Sequence, residues 1–231
     1  MEKSLIITKD GSHTVSIPEM NVSYHSLHGA IQESGHVFIN QGLRFFQNYN
    51  AAAEIHVLEM GFGTGLNALL SLMEAGSNLS IHYTAIELFP LTIGEAKTLN
   101  YCEQLKREDL LPSFEKMHQC EWERDVAINP FFAIHKLQLS LLNIKNSNFF
   151  HNSSLRPDII YFDAFAPAAQ PELWTKEVFE MLYAILKDNG ILVTYCSKGV
   201  VRRAMQAAGF VVEKVPGPPG KREIVRALMK T

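Results

Sequence analysis

IHVLEMGFGTGL, residues 55–66, reads as a short apolar strand, an acid, three glycines at every second position and the start of a helix. Gly61, Gly63 and Gly65 carry no Cβ, so the backbone can pass through φ > 0 and approach a ligand closely. Twenty-eight residues beyond Glu59, the apolar run IHYTAIE ends in Glu87. An acid there is placed to hold ribose hydroxyls, although the usual gap is roughly 20 residues. Strand, glycine turn and distal acid together mark a nucleoside-cofactor site at the carboxyl ends of parallel strands.

The spacing narrows the cofactor. A dinucleotide fingerprint, G-x-G-x-x-G, wants a glycine where this chain has Leu66. A phosphate-cradling loop ending in Gly-Lys-Ser/Thr is missing as well. The pattern here, E-x-G-x-G-x-G, is the usual form in S-adenosylmethionine (AdoMet) methyltransferases. An acid such as Glu59 ahead of the turn suits a cofactor that carries an ammonium and a sulfonium rather than a pyrophosphate. Phe62 and Thr64 within the turn and Asn67 just after it complete the expected cofactor-binding set.

Bulk properties agree with a soluble enzyme. At 231 residues, the chain can bury the core of one α/β domain with embellishments. Its 47% hydrophobic and 19% charged content places it among globular proteins. No run approaches the roughly 18 apolar residues of a membrane helix. The opening MEKSLIITKDGSHTVSI has charges and turn residues where a signal peptide needs an apolar core. Cys102, Cys120 and Cys196 show no metal-ligand spacing, which fits reduced thiols in a cytoplasmic protein.

Charge is unevenly distributed. From Gly190 to Thr231 there are eight Lys or Arg against Glu213 and Glu223, a local +6 in a chain of net −3. A basic segment beside a cofactor site fits contact with a phosphate backbone, and a solvated charged surface is the bland alternative.

The periodicity predicts strands at 55–59, 80–86, 131–138, 158–163, 190–196, 209–215 and 223–229. Helices are expected at about 66–75, 90–106, 172–187 and 199–208. This alternation is that of a doubly wound α/β sheet, and the last two strands, joined by PGPPG, read as an antiparallel hairpin closing it. The expected fold is therefore α/β, a Rossmann-like seven-stranded AdoMet-dependent methyltransferase fold. Residues 1–50 are expected to form an N-terminal extension packed on a core of residues 51–231. Within the extension, Lys9-Asp10-Gly11 turns a hairpin and a short helix covers Gly42 to Tyr49. Residues 107–130 fit no clean period and read as an insertion or irregular helix.

A second cluster, PDIIYFDAFAPAAQPELWT at residues 157–175, carries the candidate chemistry. DIIYF is a buried-type strand, and Asp163 falls at its carboxyl end, on the sheet edge where such folds bind ligands. The Ala-Phe-Ala-Pro that follows resembles in kind the loops of amino-group methyltransferases. Only a neutral amine has a lone pair to attack a sulfonium methyl, and a primary alkylamine of pKa near ~10.4 is mostly protonated at neutral pH. A carboxylate within hydrogen-bonding distance can take that proton and aim the lone pair, which is the role expected of Asp163. A turn or helix-capping aspartate is the alternative.

After the next strand, TYCSKGVVRRAMQAAGF clusters Lys198, Arg202 and Arg203 at a helix start, and PGPPGKRE exposes Lys221 and Arg222 on a turn. Such residues contact phosphates without reading sequence. Phe165 is the candidate for stacking a splayed base, with Phe162 and Trp174 expected in the core. His25, His28 and His36 lack metal-ligand spacing and read as polar loop residues, so no metal site is expected.

EMGFGTGLN, FDAFAPAAQPELWT and TYCSKGVVRRAMQAAGFVVEKVPGPPGKREIVRA resemble the tRNA 5-methylaminomethyl-2-thiouridine methyltransferase family, the methyltransferase half of MnmC and the stand-alone MnmD enzymes. SYHSLHGAIQESGHVFINQGL is similar to that family's N-terminal segment, so the likeness runs from about Ser23 to Ala227. The resemblance implies AdoMet-dependent methylation of the aminomethyl group on a tRNA wobble uridine. It implies Glu59, Gly61, Gly63 and Gly65 in the cofactor loop, Glu87 on the ribose and Asp163 as the catalytic residue. The basic SKGVVRR and GKRE stretches, with Lys198, Arg202, Arg203, Lys221 and Arg222, match regions of that family that face the tRNA, and Phe165 and Pro167 are expected at the substrate. No FAD-dependent oxidoreductase half accompanies the motifs, so the aminomethyl group is expected from a separate oxidoreductase or upstream tRNA-modifying enzyme. The acid often found after the third strand is not evident in HKLQLSLLN, where Gln138 is the expected substitute at the adenine. Methylation of a small-molecule amine, a nicotinamide-dependent oxidoreductase and a non-catalytic nucleic-acid-binding module remain alternatives at this point.

Overall fold

The structure is a computed structural model that describes residues 2–146 and 155–229. Lys230 of the basic segment lies outside them. Eleven strands, β1 to β11, form two sheets among the described residues. The small sheet joins β1 (Ser4–Ile7), β2 (His13–Ile17) and β3 (Val22–Ser23), all antiparallel. The large sheet contains β4 (Glu54–Met60), β5 (Ser80–Ile86), β6 (Asp125–Asn129), β7 (Phe132–Leu137), β8 (Ile159–Phe162), β9 (Ile191–Thr194), β10 (Val211–Pro216) and β11 (Glu223–Leu228). Their order is β10-β11-β9-β8-β4-β5-β7-β6, with the five strands from β9 to β7 parallel.

That order creates the crevice. From β4 the chain moves outward to β5 and β7, then returns to β8 on the other side of β4 and moves outward to β9. The carboxyl ends of β4 and β8 therefore flank the point where the winding reverses, the place where open α/β sheets bind ligands. Register fixes the neighbours there, with Glu59 beside Tyr161 and Met60 beside Phe162.

The sheet is buried on both faces, which is why β8 and β9 read as unbroken apolar runs. One face packs Tyr83, Phe132, Tyr161 and Val193 against Phe38, Leu43 and the helices α3 (Leu66–Glu74) and α6 (Leu111–Gln119). The other packs Leu58, Met60, Ile160 and Phe162 under α7 (Lys176–Ile185) and α8 (Gly199–Ala207). Trp174 and Phe162 are both in this second core, ring centroids 4.8 Å apart.

Several elements depart from the sequence reading. The expected helix over 42–49 begins twelve residues earlier: α1 (Ala30–Ser34) runs through π-helical Gly35–Arg44 into α2 (Phe45–Asn50). The helix expected over 90–106 divides into α4 (Ile93–Lys97) and α5 (Tyr101–Gln104). Asn100 between them is engaged by the N-terminal hairpin, accepting from His13 N–H at 2.8 Å and donating to Gly11 O at 3.0 Å. Side-chain bonding of this kind competes with helical continuation. Within 107–130, α6 is regular and β6 pairs antiparallel with β7, an eighth strand beyond the seven expected. Its sequence, DVAIN, buries only Ile128, so it carries little apolar signal.

Candidate active site

The glycine turn and Asp163 meet in one cleft of about 350 Å³. Gly61, Gly63 and Gly65 all hold positive φ, at 92°, 50° and 73°. The N–H groups of Gly61 and Phe62 donate to Ile86 O, tying the turn to the end of β5. Glu87 completes this edge: one carboxylate oxygen accepts from Gly63 N–H at 3.0 Å and the other from Phe89 N–H at 2.8 Å. On the opposite side, Asp163 N–H donates to Met60 O at 3.2 Å, continuing the β4–β8 pairing into the crevice.

Asn67 links the two halves. From the first turn of α3, its amide nitrogen donates to Glu59 Oε1 and to Asp163 Oδ2, each at 2.9 Å. Glu59 is buried, and burial followed by the nearby Asp163 charge pushes its carboxyl well above the usual range. Asp163 is half-buried on the cleft wall. Its carboxyl is pushed up to about 7, first by loss of solvation and then by Glu33, against the opposing effects of Asn67 and Lys221. Two carboxylates sharing one amide donor disfavour double ionisation, because like charges at close range repel in a low-dielectric site.

The cleft is built for a cofactor of AdoMet's kind. Its volume lies within the range of small-molecule sites, and apolar Leu88 and Phe89 together with Leu139, Leu141 and Leu142 supply walls for a nucleobase. Among the described residues buried Asn67 Oδ1 has no hydrogen-bond partner, while Glu59 and Thr64 have the hydroxyls of Tyr83 and Tyr101 near them. Such an atom ordinarily finds a partner, and Asn67 and Thr64 line the cleft where a ligand can supply one, whereas buried Glu59 does not line it. Among the described residues no group of three or more His, Cys, Asp or Glu is arranged to hold a metal ion.

Phe165 lines the same cleft, and the loop bearing it is fixed by Trp174, whose indole N–H donates to Phe165 O at 2.8 Å. Pro167 is half-buried and does not line the cleft. Gln138 is exposed and also lies off it. Its N–H donates to Glu123 Oε1 at 3.0 Å, and the neighbouring Leu139 and Ser140 line the cleft instead. The basic residues divide. Lys198, Arg203 and Arg222 are exposed and Arg202 is half-buried. Lys221 turns inward to an ion pair with Glu33. Lys214 pairs with Glu223, and Arg226 with Glu213, so the exposed basic rim is narrower than the charge count.

Sequence reading missed the N-terminal wall. Lys3, Ile17, Met20, Tyr24 and His25 line the cleft. Tyr24 meets Phe165 edge-on, with ring centroids 5.2 Å apart, and packs against the glycine turn so that a Cβ on Gly63 would sit 2.7 Å from its ring. His25 is buried rather than a polar loop residue, and its burial brings it down to about 4. Also missed was the support beneath the turn, where His118 Nε2 bonds Thr64 O at 3.1 Å. Buried Lys136 donates to His118 O at 2.9 Å and faces the Trp122 ring at 4.6 Å. No local pattern points to these residues, because His118 reaches the turn from α6 and Lys136 from β7, each more than fifty positions away.

A glycine turn with an acid at the end of the neighbouring strand and an aspartate across the switch point of this sheet is an arrangement that suits an AdoMet-dependent methyltransferase. Residues 112–230 match the family model described as S-adenosyl-L-methionine-dependent methyltransferase, and the chain belongs to that family. This sets aside the nicotinamide reading. The chain is 32% identical over 211 residues to the tRNA 5-methylaminomethyl-2-thiouridine biosynthesis bifunctional protein MnmC of Methylobacillus flagellatus, covering 87% of this chain and 32% of that protein. It is 29% identical over 238 residues to the MnmC protein of Cupriavidus metallidurans, covering 96% and 33%. The chain thus spans about a third of the length of these curated relatives. Among solved structures, MnmC2 from Aquifex aeolicus shares the fold with a TM-score of 0.76 at 24% identity, covering 99% of this chain and 71% of that one. A probable spermidine synthase from Corynebacterium glutamicum aligns with a TM-score of 0.53 at 18% identity, covering 99% and 76%.

Proposed function

We propose that this methyltransferase converts 5-aminomethyl-(2-thio)uridine at the tRNA wobble position to 5-methylaminomethyl-(2-thio)uridine. The observation that carries the reading is Asp163, a carboxylate of raised basicity anchored by Asn67 in the cleft of the glycine turn. The names of the relatives supply the substrate class, and the exposed Lys198, Arg203 and Arg222 supply a rim of the charge that tRNA phosphates require.

AdoMet, when bound, contributes an electrophilic methyl group on a sulfonium. In this reading the glycine turn, Phe62, Thr64 and Asn67 hold its amino-acid end, Glu59 acts on it from beneath through its bond to Asn67, and Glu87 accepts from the ribose hydroxyls. Asp163 receives a hydrogen bond from the acceptor's ammonium, takes its proton and leaves a lone pair on nitrogen. A carboxylate near 7 is better matched to that transfer than one near ~3.9. Phe165 packs the uracil ring, and Tyr24 holds Phe165 in place.

Among the described residues no helix is long and apolar enough to cross a membrane. The reading makes the protein a cytoplasmic tRNA-modifying enzyme, with a separate oxidoreductase or upstream modifying enzyme delivering the aminomethyl group. The test supplies radiolabelled AdoMet with tRNA bearing 5-aminomethyluridine and with the same tRNA unmodified. Label is expected only in the modified tRNA. Absence of transfer while AdoMet binding is measurable would overturn the proposal.

A further inference from the structure

An ion pair beside the acceptor loop has no part in the scheme above. Lys221, on the turn between β10 and β11, places its ammonium against Glu33 Oε1 and over the face of the Tyr195 ring, 4.3 Å from its centroid. Glu33 lies on α1 and is only 8% exposed, with its second oxygen accepting from Ser26 N–H at 2.9 Å. Tyr195 follows β9 and donates its hydroxyl to Ala164 O at 2.8 Å, one residue from Asp163. A carboxylate and an aromatic face are the two groups that together hold a desolvated alkylammonium.

We propose that Glu33 and the Tyr195 ring face form the subsite for the acceptor's primary ammonium, which the Lys221 ammonium fills in the free protein. The inference rests on the reading that the acceptor carries such an amine.

Three observations support it. First, although these residues do not line the cleft, they adjoin its wall, since the Tyr195–Ala164 bond joins the subsite to the loop that begins with Asp163. Both members of the ion pair act on Asp163, Glu33 raising its basicity and Lys221 lowering it. Second, a buried carboxylate requires a cation, so Glu33 exchanges one ammonium for another rather than standing unpaired. Third, the turn does not depend on Lys221 for its shape. His36 Nε2 bonds Pro216 O at 2.8 Å, Gly217 N–H donates to Arg222 O at 3.1 Å, and Lys221 N–H donates to Pro218 O at 2.9 Å. Lys221 is half-buried and adjoins exposed Arg222, so a phosphate at that rim can draw its ammonium outward as the substrate amine enters. The incoming ammonium then lies between Glu33, which neutralises it, and Asp163, which takes its proton.

The test compares wild type, Lys221→Met and Glu33→Gln by calorimetric binding of two nucleosides in the presence of S-adenosylhomocysteine. One is 5-aminomethyluridine; the other is 5-methyluridine, which lacks the amine. Lys221→Met, freed of its internal competitor, is expected to bind 5-aminomethyluridine roughly ten-fold more tightly, and Glu33→Gln roughly ten-fold more weakly. Binding of 5-methyluridine should not separate the three proteins. Unchanged or weaker binding of 5-aminomethyluridine by Lys221→Met overturns the proposal, as does the absence of any amine-dependent difference. Should either variant melt well below the wild type, Tyr195→Leu provides the check, with weakened binding of the amine-bearing nucleoside alone expected and parallel loss of both overturning the subsite. Wild-type transfer to modified tRNA is measured separately, so failure of the tRNA reading is distinct from failure of the subsite.

Discussion

The side-chain amide of Asn67 donates to Asp163 Oδ2 at 2.9 Å, and its second hydrogen goes to Glu59 Oε1 at the same distance. One residue at the start of α3 therefore couples the acid before the glycine turn to the acid that follows β8. Removing this donor leaves two carboxylates facing each other. Asn67→Ala is expected to cost about 1–3 kcal/mol of stability, with a larger loss at pH 8 than at pH 6, because the amide favours the ionised carboxylates. Thermal unfolding at the two pH values checks this; an equal loss at both would separate Asn67 from the carboxylates' ionisation.

Asp163 gives the pH dependence a definite sign. Its carboxyl is raised to about 7, against ~3.9 in an unfolded chain, so the folded protein holds an extra proton between these values. The contribution of Asp163 to the free protein's stability should therefore decline as pH climbs from about 4 through 7. Asp163→Asn should flatten that decline and abolish most methyl transfer while cofactor affinity stays within a few-fold. Melting curves across pH, with equilibrium binding of AdoMet, provide the measurement. Wild-type turnover should rise with pH through about 7 on its acidic limb.

His118 works in the opposite direction. Burial brings it down to about 4, so it stays neutral beneath Thr64 while an unfolded histidine protonates near ~6.5. Its contribution falls as pH drops from about 6.5 towards 4. His118→Gln keeps a donor of similar reach to Thr64 O and should reduce the acid-side loss of stability. Unchanged acid sensitivity would show that another group, such as His25, dominates that limb.

Gly63→Ala combines two penalties, a positive φ of 50° and a Cβ 2.7 Å from Tyr24 Cδ1. The backbone component alone is worth about 1–2 kcal/mol. AdoMet affinity should fall on the order of ten-fold or more, the equivalent of roughly 1.4 kcal/mol. Adding Tyr24→Ala should restore part of the loss, since the contact is relieved and the dihedral strain remains. Complete recovery, or none, in the double variant contradicts that division.

Arg202→Ala with Arg203→Ala tests the basic rim. If both meet phosphates, the slope of log affinity for tRNA against log salt should flatten by about 1–2. Filter binding between low and moderate salt measures it, and an unaltered slope removes both from the interface.

The strand–acid–glycine–helix order of residues 55–66, the aspartate ending DIIYFD and the alternation of strands and helices were legible in sequence because each is a local pattern. An apolar run bounded by turn residues, or a glycine where φ must be positive, states its requirement within a few residues. Asn100 at the break between α4 and α5, β6 as an eighth strand and the exposed position of Gln138 were not legible, because partners distant in the chain decide them. The same holds for Tyr24 packed on Gly63, for His118 beneath Thr64 and for Lys221 turned onto Glu33. Sequence determined the main alternation of strands and helices and which sheet edge carries the acids, since those follow from periodicity and backbone conformation. Only the tertiary structure decided which side chains share the cleft and which charges neutralise each other, since burial and Coulomb energy depend on distance in space.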